Sequence, residues 1–391
     1  MKALQIKRNP VKFGLARLTS PVLPAKVSAL DYRNVDEPGC PGPGWQRFNV
    51  HLAGICGSDL SLVEGHASAY FEEYVSFPFV PGHEVVGSTD DGVRYVLNPV
   101  LGPAARGVAA PPDDYAHYAT GHLEPGIQTG FCCSTGGGWA PWLWAHESQL
   151  HPIPDDMPDE RAVLVEPLAG GIHAALMAWP TIERALHRGE RPIVSVLGAG
   201  TIGLAAVAGL RRYLPGEVDL VVGARYPHQI ALATALGATT VVQASKLDRA
   251  VRRAAGCHLI GEGTNAYLSS GAHVTIDAVG TSESISDALR ITRPRGRVVV
   301  LGMPADVKLD LTGLWHRETE LKGAYTYGVE TLPDGTTANT FDLAVDTATH
   351  FQAERLLSAT YRLDEHVDAL AHAATAGRRG AVKVAFDVRN T

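Results

Sequence analysis

A thiol, an imidazole, two carboxylates and a glycine loop carry the reactive chemistry of this 391-residue chain. Cys56 offers a thiolate, His83 an imidazole, and Glu84 and Glu166 carboxylates, a mixed S/N/O donor set suited to a divalent metal with an open position. These donors lie far apart in sequence, as in a catalytic zinc site assembled by the fold, whereas structural zinc uses closely spaced cysteine pairs. Ser58 can carry a hydroxyl proton, and Asp59 can orient the outer nitrogen of His83. Taken singly, each has a bland alternative: a small buried thiol, a core histidine, a helix N-terminal acid. Their coincidence with Gly198-Ala199-Gly200-Thr201-Ile202-Gly203, directly after the strand-like run Ile193 to Leu197, favours the metal reading. A Lewis-acid metal together with a dinucleotide is equipment for hydride transfer to or from an alcohol carbon.

Each glycine of the loop has a mechanical task. Gly198 makes the turn, Gly200 admits the pyrophosphate to the backbone, and Gly203 lets the helix opened by Thr201 and Ile202 pack on the strand. The end of the next strand selects the dinucleotide, since NAD sites place an acid there against the ribose hydroxyls. This chain reads Val222-Gly223-Ala224-Arg225, and its nearest acid, Asp219, sits at the other end of the strand. Gly223 and Ala224 leave room for a 2′-phosphate, and Arg225 can bind it through two oxygens, so NADP is preferred. The alternative is that Arg225 is a solvated helix-start residue, which leaves NAD open.

Two textures supply the elements that must position these groups. Up to about Gly171, short β-prone runs such as Phe48 to Leu52, Val93 to Leu97 and Trp142 to Ala145 are broken by Gly and Pro, which reads as a mainly β domain. A helix follows Pro167 and ends at Pro180. Beyond it, strands at Val218 to Val222, Thr239 to Val242, His273 to Asp277, Arg297 to Leu301 and Leu321 to Tyr325 alternate with helices at His228 to Leu236 and Ser282 to Ile291. That alternation predicts a doubly wound parallel sheet, hence an α/β protein. Helices at Phe341 to Phe351 and Val367 to Ala374 and a strand at Val382 to Phe386 return to the first domain. The expected domains are 1–177 completed by 327–391, and 178–326.

A net charge of -7 without long runs of one sign argues against nucleic acid and against a polybasic membrane surface, leaving small molecules as ligands. Ile193 to Leu210 is apolar enough to resemble a membrane span, but its glycines divide it into strand, turn and helix. Five cysteines, few and odd in number, and no apolar signal core after Met1 fit a reducing cytoplasm.

The stretches Gly54-Ile55-Cys56-Gly57-Ser58-Asp59-Leu60, Pro81-Gly82-His83-Glu84-Val85-Val86-Gly87, Val165-Glu166-Pro167-Leu168-Ala169 and Val196 to Leu204 resemble the zinc-dependent medium-chain dehydrogenase/reductases. The resemblance is strongest to the sorbitol, threonine and glucose dehydrogenase side. It implies a GroES-like catalytic domain plus a Rossmann domain, with metal and nicotinamide meeting between them. It makes Cys56 and His83 metal ligands, and Glu166 a third ligand or water-holding acid, with Glu84 as the competing carboxylate. Ser58 takes the proton-relay place and Asp59 the place behind the histidine. Ala278, Val279, Leu301, Gly302 and Met303 fall where relatives pass the backbone beside the cofactor. Relatives also form homodimers or homotetramers through an edge strand resembling Val298 to Leu301.

Two departures stand out. Relatives often carry four cysteines in a lobe that Pro99 to Gly126 represents here without any, so one catalytic zinc and no structural zinc are expected. Cys132 and Cys133 lie outside that lobe and suit a buried structural role. Ser61 stands where relatives often have a histidine, and His66 is a substitute for the outer end of the relay. His66, Tyr70 and Phe71 offer a polar pocket for an alcohol, polyol or sugar, while Trp139, Trp142 and Trp144 are either pocket walls or core filling. The main expectation is a zinc-dependent, NADP-preferring oxidoreductase of a secondary alcohol, polyol or sugar, or of the matching ketone. Its rivals are a zinc-free reductase of activated C=C bonds or quinones on the same scaffold, and a nucleotide-binding protein without turnover.

Overall fold

The computed structural model describes residues 1–19, 24–109, 121–214 and 216–389. The chain forms two compact units, Met1–Glu166 with Gln352–Thr391, and Pro167–Phe351. The sequence reading draws these borders at 177 and 327. From Pro167 onward the helix Val165–His187 goes with the second unit, because Gly171 lies on the backbone of Ala205, where an added Cβ would come within 2.4 Å. The helix Thr340–Phe351 goes with it too, through Arg212–Asp346 (2.8 Å) and the Tyr213 hydroxyl, which donates to Leu343 O (2.6 Å).

In the first unit β1 (Lys2–Ile6) pairs antiparallel with β2 (Leu30–Asn34). The long β3 (Trp45–Gly54) alternates buried and half-exposed residues, as a strand with one face in a core must, and becomes fully buried over Leu52, Ala53 and Gly54. β4 (Val85–Thr89), β5 (Arg94–Leu97), β6 (Trp142–His146) and β7 (Leu150–Pro152) follow. An unanticipated helix, Pro10–Thr19, lies between β1 and β2.

The second unit is built on a six-stranded, wholly parallel sheet and also has two antiparallel hairpins. In chain order it contains β8 (Ile193–Leu197), β9 (Asp219–Ala224), β10 (Thr240–Gln243), the hairpin β11 (Leu259–Ile260) and β12 (Tyr267–Leu268), β13 (Ala272–Asp277), β14 (Thr292–Val300), β15 (Glu320–Gly323), and the hairpin β16 (Val329–Thr331) and β17 (Thr337–Asn339). The sheet order β10-β9-β8-β13-β14-β15 reverses direction at β8, the topological switch point beside which such sheets bind ligands. The run Val298 to Leu301 is not an edge: β14 lies between β13 and β15, and β15 is the outermost strand. The helix Val165–His187 also runs on through Pro180, because Ala178, Ile182 and Ala185 continue its buried stripe. It belongs to the one stretch among the described residues long and apolar enough to cross a bilayer, Asp159–His187, whose most apolar window is 78% buried inside the protein.

β18 (Leu357–Tyr361) and β19 (Lys383–Asp387) then complete the first unit's seven-stranded sheet, ordered β18-β19-β3-β4-β5-β7 with β6 also on β3. Trp139, Phe48, Phe79 and Phe386 fill its core. In the described part of the Pro99 to Gly126 lobe, the buried Arg106 donates Nε to Leu101 O (3.0 Å) and Nη2 to Gly126 O, and its own carbonyl meets His122 Nδ1 (2.8 Å). Buried Cys132 packs beside it with Trp45, Leu101, Ala105 and Leu123.

Candidate metal centre and nucleotide loop

The antiparallel register of β3 and β4 brings the thiol and the imidazole together. Ala53 pairs with Val85, so Cys56, three residues past one end, meets His83, two residues before the other. Cys56 caps the helix Gly57–Val63, and its backbone N–H donates to Asp59 Oδ2 (2.9 Å), which fixes Ser58 and Asp59 in the first turn. Donor atoms of Cys56, His83 and Glu84 all lie within 4.8 Å of one another, the only such donor group among the described residues.

The imidazole is set up as a ligand. Asp59, fully buried, faces His83 Nδ1 at 3.5 Å, while Ser58 Oγ lies 3.5 Å from Nε2. Both His83 Nδ1 and Asp59 Oδ1 are buried without a good hydrogen bond. Burial works against a charged ring, but the Asp59 carboxylate, with help from Cys56, outweighs it and holds His83 well above its ordinary value. A carboxylate behind the histidine, a thiol and a hydroxyl before it, and an acid alongside fit a divalent metal: Nδ1–H turned to Asp59 leaves Nε2 for the ion. Phe131 forms an apolar wall, its ring centroid 5.8 Å from that of His83.

Glu84 has a second commitment. Lys383, at the start of β19, donates Nζ to both its oxygens (2.6 and 2.5 Å) and to Ile55 O (3.2 Å), and the two side chains are only 4% and 2% exposed. Gly54 is glycine for the same reason, since a Cβ there would stand 1.9 Å from Glu84 Oε2. Glu166, half-buried in the first turn of Val165–His187, stands outside the compact donor group but close enough for its charge to act on Lys383. His66 is exposed, its backbone N–H on Ser61 O (2.7 Å), and the structure does not bring its ring to Ser58. Tyr70 is 71% exposed and packs edge-on against Phe71 (5.3 Å). Trp139 and Trp142 are buried, and Trp144 donates its indole N–H to Pro38 O (2.8 Å), the core-filling alternative.

The glycine loop has the anticipated mechanics. Gly198 adopts φ +99, and a Cβ on Gly203 would meet Gly198 O at 2.0 Å, whereas one on Gly200, which caps the helix Thr201–Tyr213, would meet open space. Thr201 and Ile202 open that helix, and Ala278 N donates to Leu197 O (2.9 Å). Gly223 and Ala224 end β9, and Arg225 follows exposed, its guanidinium 5.8 Å from the Tyr226 ring centroid. Val279 and Met303 each leave 45% of their surface exposed past the ends of β13 and β14, beside Leu301 and Gly302.

Sequence reasoning missed Lys383, Phe131, Gln229 and Asp277. Gln229 is buried and accepts from the N–H groups of Arg225 (3.2 Å) and Tyr226 (3.3 Å), shaping the turn that presents Arg225. A lysine in an apolar strand was the available signal for Lys383; the aromatic wall gave none.

Two family models match the chain, an alcohol dehydrogenase GroES-like domain over residues 42–155 and a zinc-binding dehydrogenase over 201–342. Similar proteins include sorbitol dehydrogenase of Homo sapiens, 28% identical over 302 residues that cover 73% of this chain and 76% of the relative. L-idonate 5-dehydrogenase of Vitis vinifera is 27% identical over 310 residues, covering 73% and 74%. Among solved structures, a zinc-binding dehydrogenase from Sinorhizobium meliloti bound to NADP superposes with a TM-score of 0.68 at 23% identity, covering 99% of this chain and 98% of that one. Galactitol-1-phosphate dehydrogenase from Escherichia coli gives 0.67 at 17%, covering 99% and 100%.

Proposed function

Because the chain belongs to the zinc-dependent medium-chain dehydrogenase/reductases and is an alcohol or polyol dehydrogenase of that family, we propose that it uses one zinc ion and NADP to interconvert a polyol, sugar or other secondary alcohol with its ketone. The observation that carries this reading is the Cys56-His83-Glu84 donor group, with His83 and Glu84 buried and Cys56 half-buried, in a chain that also has the glycine loop. Retention of those donors counts against a zinc-free C=C or quinone reductase. The relatives acting on sorbitol and idonate support a polyhydroxy substrate.

Cys56 and His83 would hold the metal, with Glu84 or Glu166 as the carboxylate ligand. Glu84 is also engaged through both oxygens by Lys383, whose charge offsets its own. When bound, zinc supplies Lewis-acid polarisation of the substrate oxygen, and the nicotinamide supplies or accepts the hydride. Asp59 fixes the tautomer of His83, and Ser58 passes the hydroxyl proton toward solvent. Gly198, Gly200, Thr201, Ile202 and Gly203 receive the pyrophosphate. Ala278, Val279, Leu301, Gly302 and Met303 flank the cofactor, and Gly223, Ala224 and Arg225 receive the 2′-phosphate. Five free cysteines among the described residues fit a reducing cytoplasm.

Elemental analysis should find one zinc per chain, and two would defeat the expectation of no structural zinc. A chelator should abolish polyol oxidation while NADPH still binds; turnover that survives chelation would favour the zinc-free reductase. Arg225→Asp should weaken NADPH about tenfold or more while sparing NADH, on the scale of a lost charged phosphate contact. Equal effects on the two would overturn the NADP assignment.

A further inference from the structure

Asp277 closes β13 with its carboxylate completely buried. That carboxylate accepts from Val279 N (3.0 Å), Gly280 N (3.2 Å) and Ser284 Oγ (2.9 Å). Its main-chain carbonyl accepts from Leu301 N and Gly302 N, both at 2.9 Å. One residue therefore ties down the loop after β13 and the loop after β14 at once. The loops also touch: a Cβ on Gly302 would lie 2.5 Å from the carbonyl carbon of Val279, and one on Gly280, which has φ +80, 2.5 Å from Gly302 O. They form one ledge at the carboxyl ends of parallel strands, where doubly wound sheets receive ligands. The ledge reaches the glycine loop, since a Cβ on Gly198 would come within 2.8 Å of Val279 Cγ2. Val279 and Met303 project from it, each 45% exposed, apolar surface that a flat ring would cover.

Among the described residues Asp277 has no cationic partner, so nothing but donors on this ledge balances its burial. Burial pushes its carboxyl up from the ordinary carboxylate range, and the two backbone N–H groups and the Ser284 hydroxyl pull it back only in part. An ionised carboxylate has acceptor sites for all three donors, whereas an amide would turn an NH₂ toward one of them.

We propose that Asp277 is a positioning residue that shapes the ledge for the nicotinamide half of the dinucleotide, leaving the adenosine half to the Arg225 end of the sheet. This rests on the dinucleotide reading above. The ligands that separate the two halves are NADPH and adenosine 2′,5′-bisphosphate, which lacks the nicotinamide end. In full-length protein, Asp277→Asn should weaken NADPH about tenfold or more, as expected for a lost charged hydrogen bond, and move adenosine 2′,5′-bisphosphate by less than about twofold. The cofactor KM should rise more than kcat falls.

If both ligands weaken together, the effect is a general loss of structure and the proposal is overturned; if neither changes, it is overturned as well. Should Asp277→Asn not fold, Ser284→Ala removes a single donor and should give the same one-sided loss at about twofold to fivefold; no difference between the ligands there would sink the idea. A wild-type protein that binds neither ligand would instead defeat the dinucleotide reading itself.

Discussion

Among individual side chains, the pairing of Lys383 with Glu84 makes the most exacting demand on the fold. Two opposite charges with 4% and 2% exposure are tolerable only together, because removing one leaves the other uncompensated in a low-dielectric interior. Lys383→Met should therefore cost about 3–5 kcal/mol of stability in urea unfolding, and adding Glu84→Gln should recover most of it. A single variant as stable as the parent would show that the pair holds nothing. Burial works against the charge of Lys383, yet Glu84, then Cys56 and Glu166, keep it above the ordinary lysine value. A raised folded pKa means this contribution is complete below the unfolded lysine pKa and is lost only as pH rises through the folded one, so neutral and mildly alkaline solutions retain it. Cys56, His83 and Glu84 were legible because their residue types announce ligation. Lys383 was not, because its partner lies 299 positions away and only the β19-β3-β4 adjacency unites them.

At the level of elements, the turn from β8 into the helix Thr201–Tyr213 separates packing from binding within six residues. Gly203 has the carbonyl oxygen of Gly198 where a Cβ would go, while Gly200 has nothing. Gly203→Ala should lose about 1–3 kcal/mol through overpacking and bind the dinucleotide poorly. Gly200→Ala should unfold within about 0.5 kcal/mol of the parent and still lose dinucleotide affinity, because the methyl group occupies the approach to the helix N-terminus. Paired thermal melts and NADPH titrations would check this, and a Gly200→Ala protein with full affinity would contradict it. This turn was readable in advance because the strand, glycine and helix signals agree. The helix Leu247–Ala254 was not, because only Leu247 and Val251 are buried among charged neighbours, too short a pattern to stand out. The passage of Val165–His187 through Pro180 was also hidden, since tertiary burial beyond the proline outweighs its missing donor.

For the molecule as a whole, β15 leaves one edge of the parallel sheet without a pairing strand among the described residues, and all four of its residues are exposed. Leu321 is 39% exposed on that edge, and Leu311 (51%) and Trp315 (78%) lie in the segment leading to it. We propose that two copies pair through this edge, the remedy that strand edges commonly find. Light scattering should give a dimer or a multiple of it, and Leu321→Asp should shift the population toward monomer; a monomeric parent would refute the pairing. Val298 to Leu301, the run likened to a pairing edge from the sequence, lies one strand inside this edge, an order that only the folded sheet reveals. Elsewhere, the lobe around Arg106 is fastened by a guanidinium grasping the carbonyls of Leu101 and Gly126. A guanidinium stays protonated across physiological pH. It can be neither oxidised as a thiolate is nor carried off by a scavenger of ions, so this one fastening should hold through oxidative stress and trace-element famine alike.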